Sequence, residues 1–427
     1  MNELFNIVYV ILSLVLIFSS SFFLTLRTIN KINYNLFELY SLNIIIILNI
    51  LLVLSFFNLN LNYIFFIFLI IGLLNIITLT KIKLFLHNKY FLLFIFFCLV
   101  FSVKIAAYPK LEWDAAVNWI FKTLNFYDGY NFENLKNTHG VLAYPHLGSY
   151  VWAIIWKNSF INSEYTGRIF YIFIFFISIF FSLSKFNLSL LAKIFFSYLV
   201  ILITYDQYLF SGYQEPMMFS LILIFFILFE NIKKINSLHV SHLYLILNAN
   251  LMLWTKNEGF VFLLIILLFI LFQSIHIKIK TFFCICFFVL IFNKFFIFNY
   301  FFQENLIGWK GYKFIEANQL LSLEIISRVP ILIFQLIVVF FKHPIYLIFI
   351  SSIIFLTIKN KTIFLYKNYI IFFLMNCILG ISIFLFTTDN NWHFHASVGM
   401  DRILYQTSGV YIYFILNLIL RNYKDRV

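Results

Sequence analysis

Residues 63–80 read YIFFIFLIIGLLNIITLT, a run without a single charged side chain. Wound as an α-helix, eighteen residues rise about 27 Å, close to the ~30 Å hydrocarbon thickness of a bilayer. Such a run is apolar on every side, so no face of it seeks water, and a lipid-facing helix is the simplest reading. Similar runs recur near 4–25, 39–57, 90–107, 166–184, 194–210, 217–229, 243–255, 260–275, 281–301, 329–357, 368–388 and 404–420. Together they predict an all-α polytopic integral membrane protein of about 13 transmembrane helices in one membrane domain, 1–427.

Composition agrees. Hydrophobic residues make up 63% of the chain, charged residues 11%, and mean hydropathy is +0.96. A water-soluble domain keeps about a quarter of its residues charged. The net charge of +13 does not point to nucleic acid, because the basic residues sit in short runs between apolar stretches instead of on a folded, water-facing platform. Arg27, Lys31, Lys81, Lys83, Lys89, Lys185, Lys193, Lys233, Lys234, Lys278 and Lys280 all fall on one side of the predicted spans. The positive-inside rule makes that side cytoplasmic, and an inner-membrane location is expected. Residues 4–25 lack the basic start and small-residue cleavage site of a signal peptide and are expected to be a retained span. Lys342-His343-Pro344 interrupts the over-long run 329–357, so one broken or re-entrant element is expected there. The four cysteines lie in apolar segments at spacings that suit neither a disulfide framework nor zinc.

The longest stretch outside the spans is 108–164. Its first part, 108–158, reads YPKLEWDAAVNWIFKTLNFYDGYNFENLKNTHGVLAYPHLGSYVWAIIWKN and gathers charge, His and Trp that the rest of the chain avoids. Asp114, Asn118 and Lys122 are spaced i, i+4, i+8 and share one arc of a helix. Trp113, Val117, Ile120, Phe121 and Leu124 form its apolar side, the pattern of a helix lying in the membrane interface. Asp128-Gly129 reads as a turn. A second amphipathic segment follows Tyr144-Pro145, with Trp152 and Trp156 suited to the headgroup region.

Asp114 admits two readings. It can cap the interfacial helix, a common task for Asp, although Val117 provides no capping box. Alternatively it is a general base, with Lys122 two turns along to meet an anionic group. Glu112 projects from another face and is the weaker base. Asp206 and Glu215 flank a junction in TYDQYLFSGYQEP (204–216). Lys256 and Glu258 occupy a tight turn in LWTKNEGF (253–260), where they form either a surface ion pair of little value or a cavity lining. His393, His395 and Arg402 follow in NNWHFHASVGMDR (390–402), and read as phosphate or hydroxyl contacts before zinc.

WDAAVNWIFK (113–122), followed by His139 and YPHLG (144–148) with His146, resembles the first extracytoplasmic loop of GT-C membrane glycosyltransferases. GYQEP (212–216), WTKNEG (254–259) and the stretch from His393 to Arg402 are similar to later motifs of that family, in order along the chain. The resemblance implies an inverting transfer from a polyprenyl-phosphate-linked sugar to a lipid-linked or cell-envelope glycan acceptor, on the extracytoplasmic side. Asp114 would be the catalytic residue, and Glu112, Lys122, His139, His146, Glu215, Lys256, Glu258, His393 and Arg402 would bind substrate. Four spans precede the loop where many relatives have one, and the loop has no Asp-x-Asp, so a divalent metal is neither required nor excluded. Two other functions fit an all-helical membrane chain: a transporter or flippase of lipid-linked sugars, and an O-antigen-type polymerase. Polar residues collected at one face disfavour the first, and the small, acid-poor 302–328 loop disfavours the second.

Overall fold

A computed structural model describes residues 2–29, 35–78, 88–138, 142, 144–233, 235, 237–302, 323–358, 367–385 and 392–424. Every regular element among them is helical. Nine of the described helices are long and apolar enough to cross a membrane, and Leu190–Thr204, Glu258–Phe272 and Pro344–Phe355 are shorter apolar helices. The expected spans at 194–210 and 260–275 fall on two of these shorter helices, and 404–420 is the later part of the 33-residue helix Trp392–Lys424.

The chain divides into two compact units, Met1–Gly259 and Phe260–Val427. The first contains α1 (Asn2–Ile17), α2 (Phe22–Ile29), α3 (Leu36–Leu54), α4 (Leu61–Thr78), α5 (Lys89–Ala107), α6 (Ile120–Tyr127), α7 (Leu147–Lys157), α8 (Tyr165–Ser184), α9 (Leu190–Thr204), α10 (Glu215–Ile232) and α11 (Val240–Thr255). The first predicted span is interrupted between α1 and α2. The freed backbone there is bonded again by Asn75 Nδ2, which donates to the Ser20 carbonyl at 2.7 Å, while Ser19 and Ser20 hydroxyls donate to Val15 and Ile17 carbonyls. Helix α8 is central: it packs on α1, α3, α5, α7, α9 and α10, and its spanning residues are buried throughout.

Chain direction sorts the polar residues of this unit. The start of α3 and the end of α8 meet at one end, where Lys185 pairs with Glu38 at 2.9 Å, and Lys233 pairs with Glu230 on the last turn of α10. The ends of α3, α5, α9 and α11 and the starts of α8 and α10 lie at the opposite end, together with the 108–164 segment.

The second unit contains α12 (Glu258–Phe272) beyond its first two residues, α13 (Ile277–Phe302), α14 (Leu323–Lys342), α15 (Pro344–Ile358), α16 (Lys367–Leu385) and α17 (Trp392–Lys424). The interruption expected in 329–357 is present, with α14 ending at Lys342 and α15 starting at Pro344. Pro330 lies inside α14 without ending it.

Candidate active site at one end of the first unit

The 108–164 segment folds onto the ends of the helices instead of standing away from them. Its first helix begins at Trp113 and widens into a π-turn over Ala115–Trp119, closed by the Ile120 amide donating to the Ala115 carbonyl. π-turns are rare and often mark functional positions. The extra residue per turn breaks the simple i, i+4, i+8 arc. Trp113 stands 75% exposed, while Asn118, Trp119 and Lys122 are buried. After α6 the chain turns at Asp128-Gly129, with the Tyr130 amide donating to the Asn125 carbonyl and the Gly129 amide to that of Phe126.

Helix α7 departs from the sequence expectation. Residues Leu147 to Ile155 are all buried, and α7 packs on α3, α4, α6, α8 and α11. Trp152 is therefore an internal residue, its indole donating to the Glu164 carbonyl at 3.1 Å, and not a headgroup anchor. Burial this complete places the segment within the protein, where the α7 apolar face has more to cover it than lipid alone.

Two loops are clamped together at this end. Arg168 of α8 is fully buried and donates to the carbonyls of Pro109, Lys110 and Phe210, while Glu164 holds its other side at 2.9 Å. Burial pushes the Glu164 carboxyl above its ordinary range, and the Arg168 charge pulls it part of the way back. The Glu112 amide donates to the Ser211 carbonyl at 3.2 Å. Gly212 makes the closest approach. Its φ of +81° suits glycine, and an added Cβ would lie 2.9 Å from Leu111 and 3.1 Å from the Ala115 Cβ. The GYQEP junction thus lies against the start of the WDAA helix.

Asp114 is half-buried, its backbone already helical, and its side chain makes no capping hydrogen bond. Glu112 pairs with Lys110 at 3.2 Å on the surface. Asp206 is the residue that caps: its carboxylate accepts from the Tyr208 amide at 3.3 Å. Lys122 is committed to backbone, its ammonium donating to the carbonyls of Leu142 and Tyr144. His146 is also internal, 2.6 Å from the Ser55 hydroxyl and ringed by Phe56, Phe126, Phe132 and Trp254.

Three of the sequence candidates meet in one group. Lys256 is fully buried, and its ammonium lies 2.9 Å from Glu215 Oε1 and 3.0 Å from Glu258 Oε1. Glu215 is fully buried as well, whereas the Glu258 side chain keeps 21% of its surface. The residues meet because α11 and α12 turn tightly: Gly259 passes so close to α11 that a Cβ would fall 2.0 Å from the Met252 carbonyl oxygen. Next to this bridge, Gln214 donates to the Tyr171 hydroxyl at 2.7 Å. Glu258 Oε2 and Asn257 Nδ2 are screened from solvent without a hydrogen-bond partner among the described residues. Two carboxylates on one ammonium leave a net negative site with an open acceptor and an open donor, a set that suits hydroxyl-bearing ligands.

A divalent metal does not fit this arrangement, because the ammonium of Lys256 fills the position between the carboxylates. Among the described residues no three His, Cys, Asp or Glu come together to hold a metal ion. His139 lies outside the described residues, as do 303–322 of the late loop. His393 and Arg402 belong to the second unit, where His393 is exposed on the first turn of α17 and its ring stacks on Trp392. Sequence reasoning passed over Arg168 and Asp401. Arg168 follows Glu164 by four residues inside an apolar run, which was a usable signal for a buried pair.

Comparison with known proteins finds no family model, no curated protein and no solved structure that the chain matches.

Proposed function

We propose that the protein is a membrane glycosyltransferase with a GT-C-like fold of about 13 spans, moving a sugar from a polyprenyl-phosphate donor to a lipid-linked or cell-envelope glycan. The reading puts the chain in a bacterial inner membrane with this site on the extracytoplasmic side. The observation that carries it is the buried Glu215–Lys256–Glu258 bridge, together with a loop helix that presents Asp114 without using it as a cap. Charge buried in a membrane protein is costly and commonly marks a functional site.

In this account Asp114 takes the proton of an acceptor hydroxyl as its oxygen attacks the anomeric carbon. The bond from that carbon to the phosphate oxygen breaks on the opposite face, its electron pair leaves with the lipid phosphate, and the anomeric configuration inverts. Lys256 is the centre of the substrate-binding group. Held by two carboxylates, it orients Glu215 and Glu258 for sugar hydroxyls. Lys122 likewise fixes the backbone at Leu142 and Tyr144. No step is routed through a metal.

The test is mass spectrometry of surface glycans from a strain lacking the protein. Loss of one sugar residue from a glycan supports transfer and identifies donor and acceptor together; an unchanged glycan profile contradicts it.

A further inference from the structure

The second unit contains a row of polar side chains that the transfer reading does not use. At the break between α14 and α15, Asp401 of α17 accepts from both sides: Lys342 binds Oδ2, and His343 Nε2 lies 2.5 Å from Oδ1. The carboxylate and imidazole are buried, at 6% and 7% side-chain exposure, whereas Lys342 keeps 48%. The ion pair therefore runs from an accessible ammonium to an internal acid. Further along α17, Gln406 is fully buried and neither of its amide atoms has a partner among the described residues. The Tyr346 hydroxyl then donates to the Leu404 carbonyl and lies 3.1 Å from the Thr407 hydroxyl, and Asn376 Nδ2 donates to the Tyr411 hydroxyl at 2.8 Å. Last comes Asn368, whose amide donates to Gln273 at 2.6 Å near the start of α16. Asn376 Oδ1 and Asn368 Oδ1 are open in the same way as Gln406.

The rungs follow the helix axes. Asp401 to Tyr411 is ten residues, about 15 Å of helix, and Asn368 precedes Asn376 by eight, about 12 Å. The antiparallel α16 and α17, with Tyr369 against Phe414 and Gly380 near Met400, carry the row across a large part of a ~30 Å hydrocarbon layer.

A structural ion pair needs one cation for one carboxylate. Here a second basic group is present, and it is imidazole, the side-chain type that changes charge near neutral pH. Of the other charged groups on the surrounding helices, Arg328 lies 5.0 Å over the Trp392 ring and Arg402 follows Asp401 directly. Acids and histidines inside membrane segments commonly relay protons, and buried amides with open atoms hold ordered water.

We propose that the second unit conducts protons along this row, with Asp401 and His343 as the pair that takes and releases the proton. A proton from water protonates the pair on the Lys342 side. It leaves toward Tyr346, Thr407 and Tyr411, with water held on the open Oδ1 of Asn376. One O–H or N–H bond forms as another breaks, and each proton entering is matched by one leaving, so no co-reactant is needed.

The test uses the purified full-length chain in liposomes loaded with a pH-sensitive dye, under a potassium diffusion potential. The expected result is proton entry faster than in protein-free liposomes, reduced to the protein-free rate by Asp401→Asn and by His343→Gln. Asn376→Leu keeps the membrane-compatible character of its helix, and is expected to slow conduction even if the charge variants fail to insert. A wild-type rate equal to that of protein-free liposomes overturns the proposal, as does wild-type conduction in Asp401→Asn or Asn376→Leu. None of these outcomes bears on sugar transfer, which takes place in the first unit.

Discussion

The residue that decides most at the candidate site is Lys256. As a surface pair with Glu258 its ammonium would contribute little, about 0–1 kcal/mol. Buried between Glu215 and Glu258, it carries a different weight, because removing it leaves two carboxylates uncompensated inside the protein. Breaking a buried pair on one side costs about 3–5 kcal/mol. Lys256→Met is therefore expected to lower the midpoint of thermal unfolding in detergent, and Lys256→Met with Glu215→Gln to regain part of the loss. A double variant no more stable than the single one would show that Glu215 is not the group Lys256 neutralises. The sequence drew attention to all three residues, since charge is scarce in this chain and these sit at span junctions. It did not reveal the pairing, because Glu215 and Lys256 are 41 residues apart and only the packing of α10 on α11 brings them together.

Among the elements, those legible in the sequence were governed by local chemistry. Long apolar runs became helices, Asp128-Gly129 became a turn, and Pro344 set the break after α14. The missed elements were governed by tertiary contacts. The π-turn at Ala115–Trp119 has no signature in the hydrophobic pattern, and beyond it Lys122 is buried and donates to the Leu142 and Tyr144 carbonyls. Likewise α7 reads as amphipathic but is enclosed on all sides by neighbouring helices. The clamp between the 109–115 and 206–214 loops is expected to depend on Gly212. Gly212→Val brings a β-branched side chain to a positive φ and within contact of Leu111, Trp152 and Ala115. It should separate the loops and reduce transfer per molecule while the protein still inserts. Transfer at the wild-type level, measured in membranes and normalised to abundance, would mean that the loop contact is not needed.

For the whole molecule, the membrane character follows from composition alone: nine described helices meet the length and hydropathy of a span. The orientation proposed here rests on the distribution of Lys and Arg. Reporters fused near residues 130, 212 and 395 are expected to report the extracytoplasmic side, and fusions near 85, 236 and 425 the cytoplasm. A cytoplasmic signal at 130 would remove the loop from an outer-leaflet donor.

Asp114 is the residue on which the proposed transfer chemistry depends. Its side chain makes no capping hydrogen bond and Asn keeps its size, so Asp114→Asn should change thermal stability by about 1 kcal/mol or less. An amide accepts no proton, however, and loss of a general base commonly lowers a rate by about 10²–10⁴. The measurement is sugar transfer from a polyprenyl-phosphate donor by membranes containing equal amounts of wild type, Asp114→Asn and Glu112→Gln. The expected result is near-complete loss in Asp114→Asn, with Glu112→Gln, whose carboxylate is taken up by Lys110, impaired less. Transfer by Asp114→Asn at most of the wild-type rate would contradict the account.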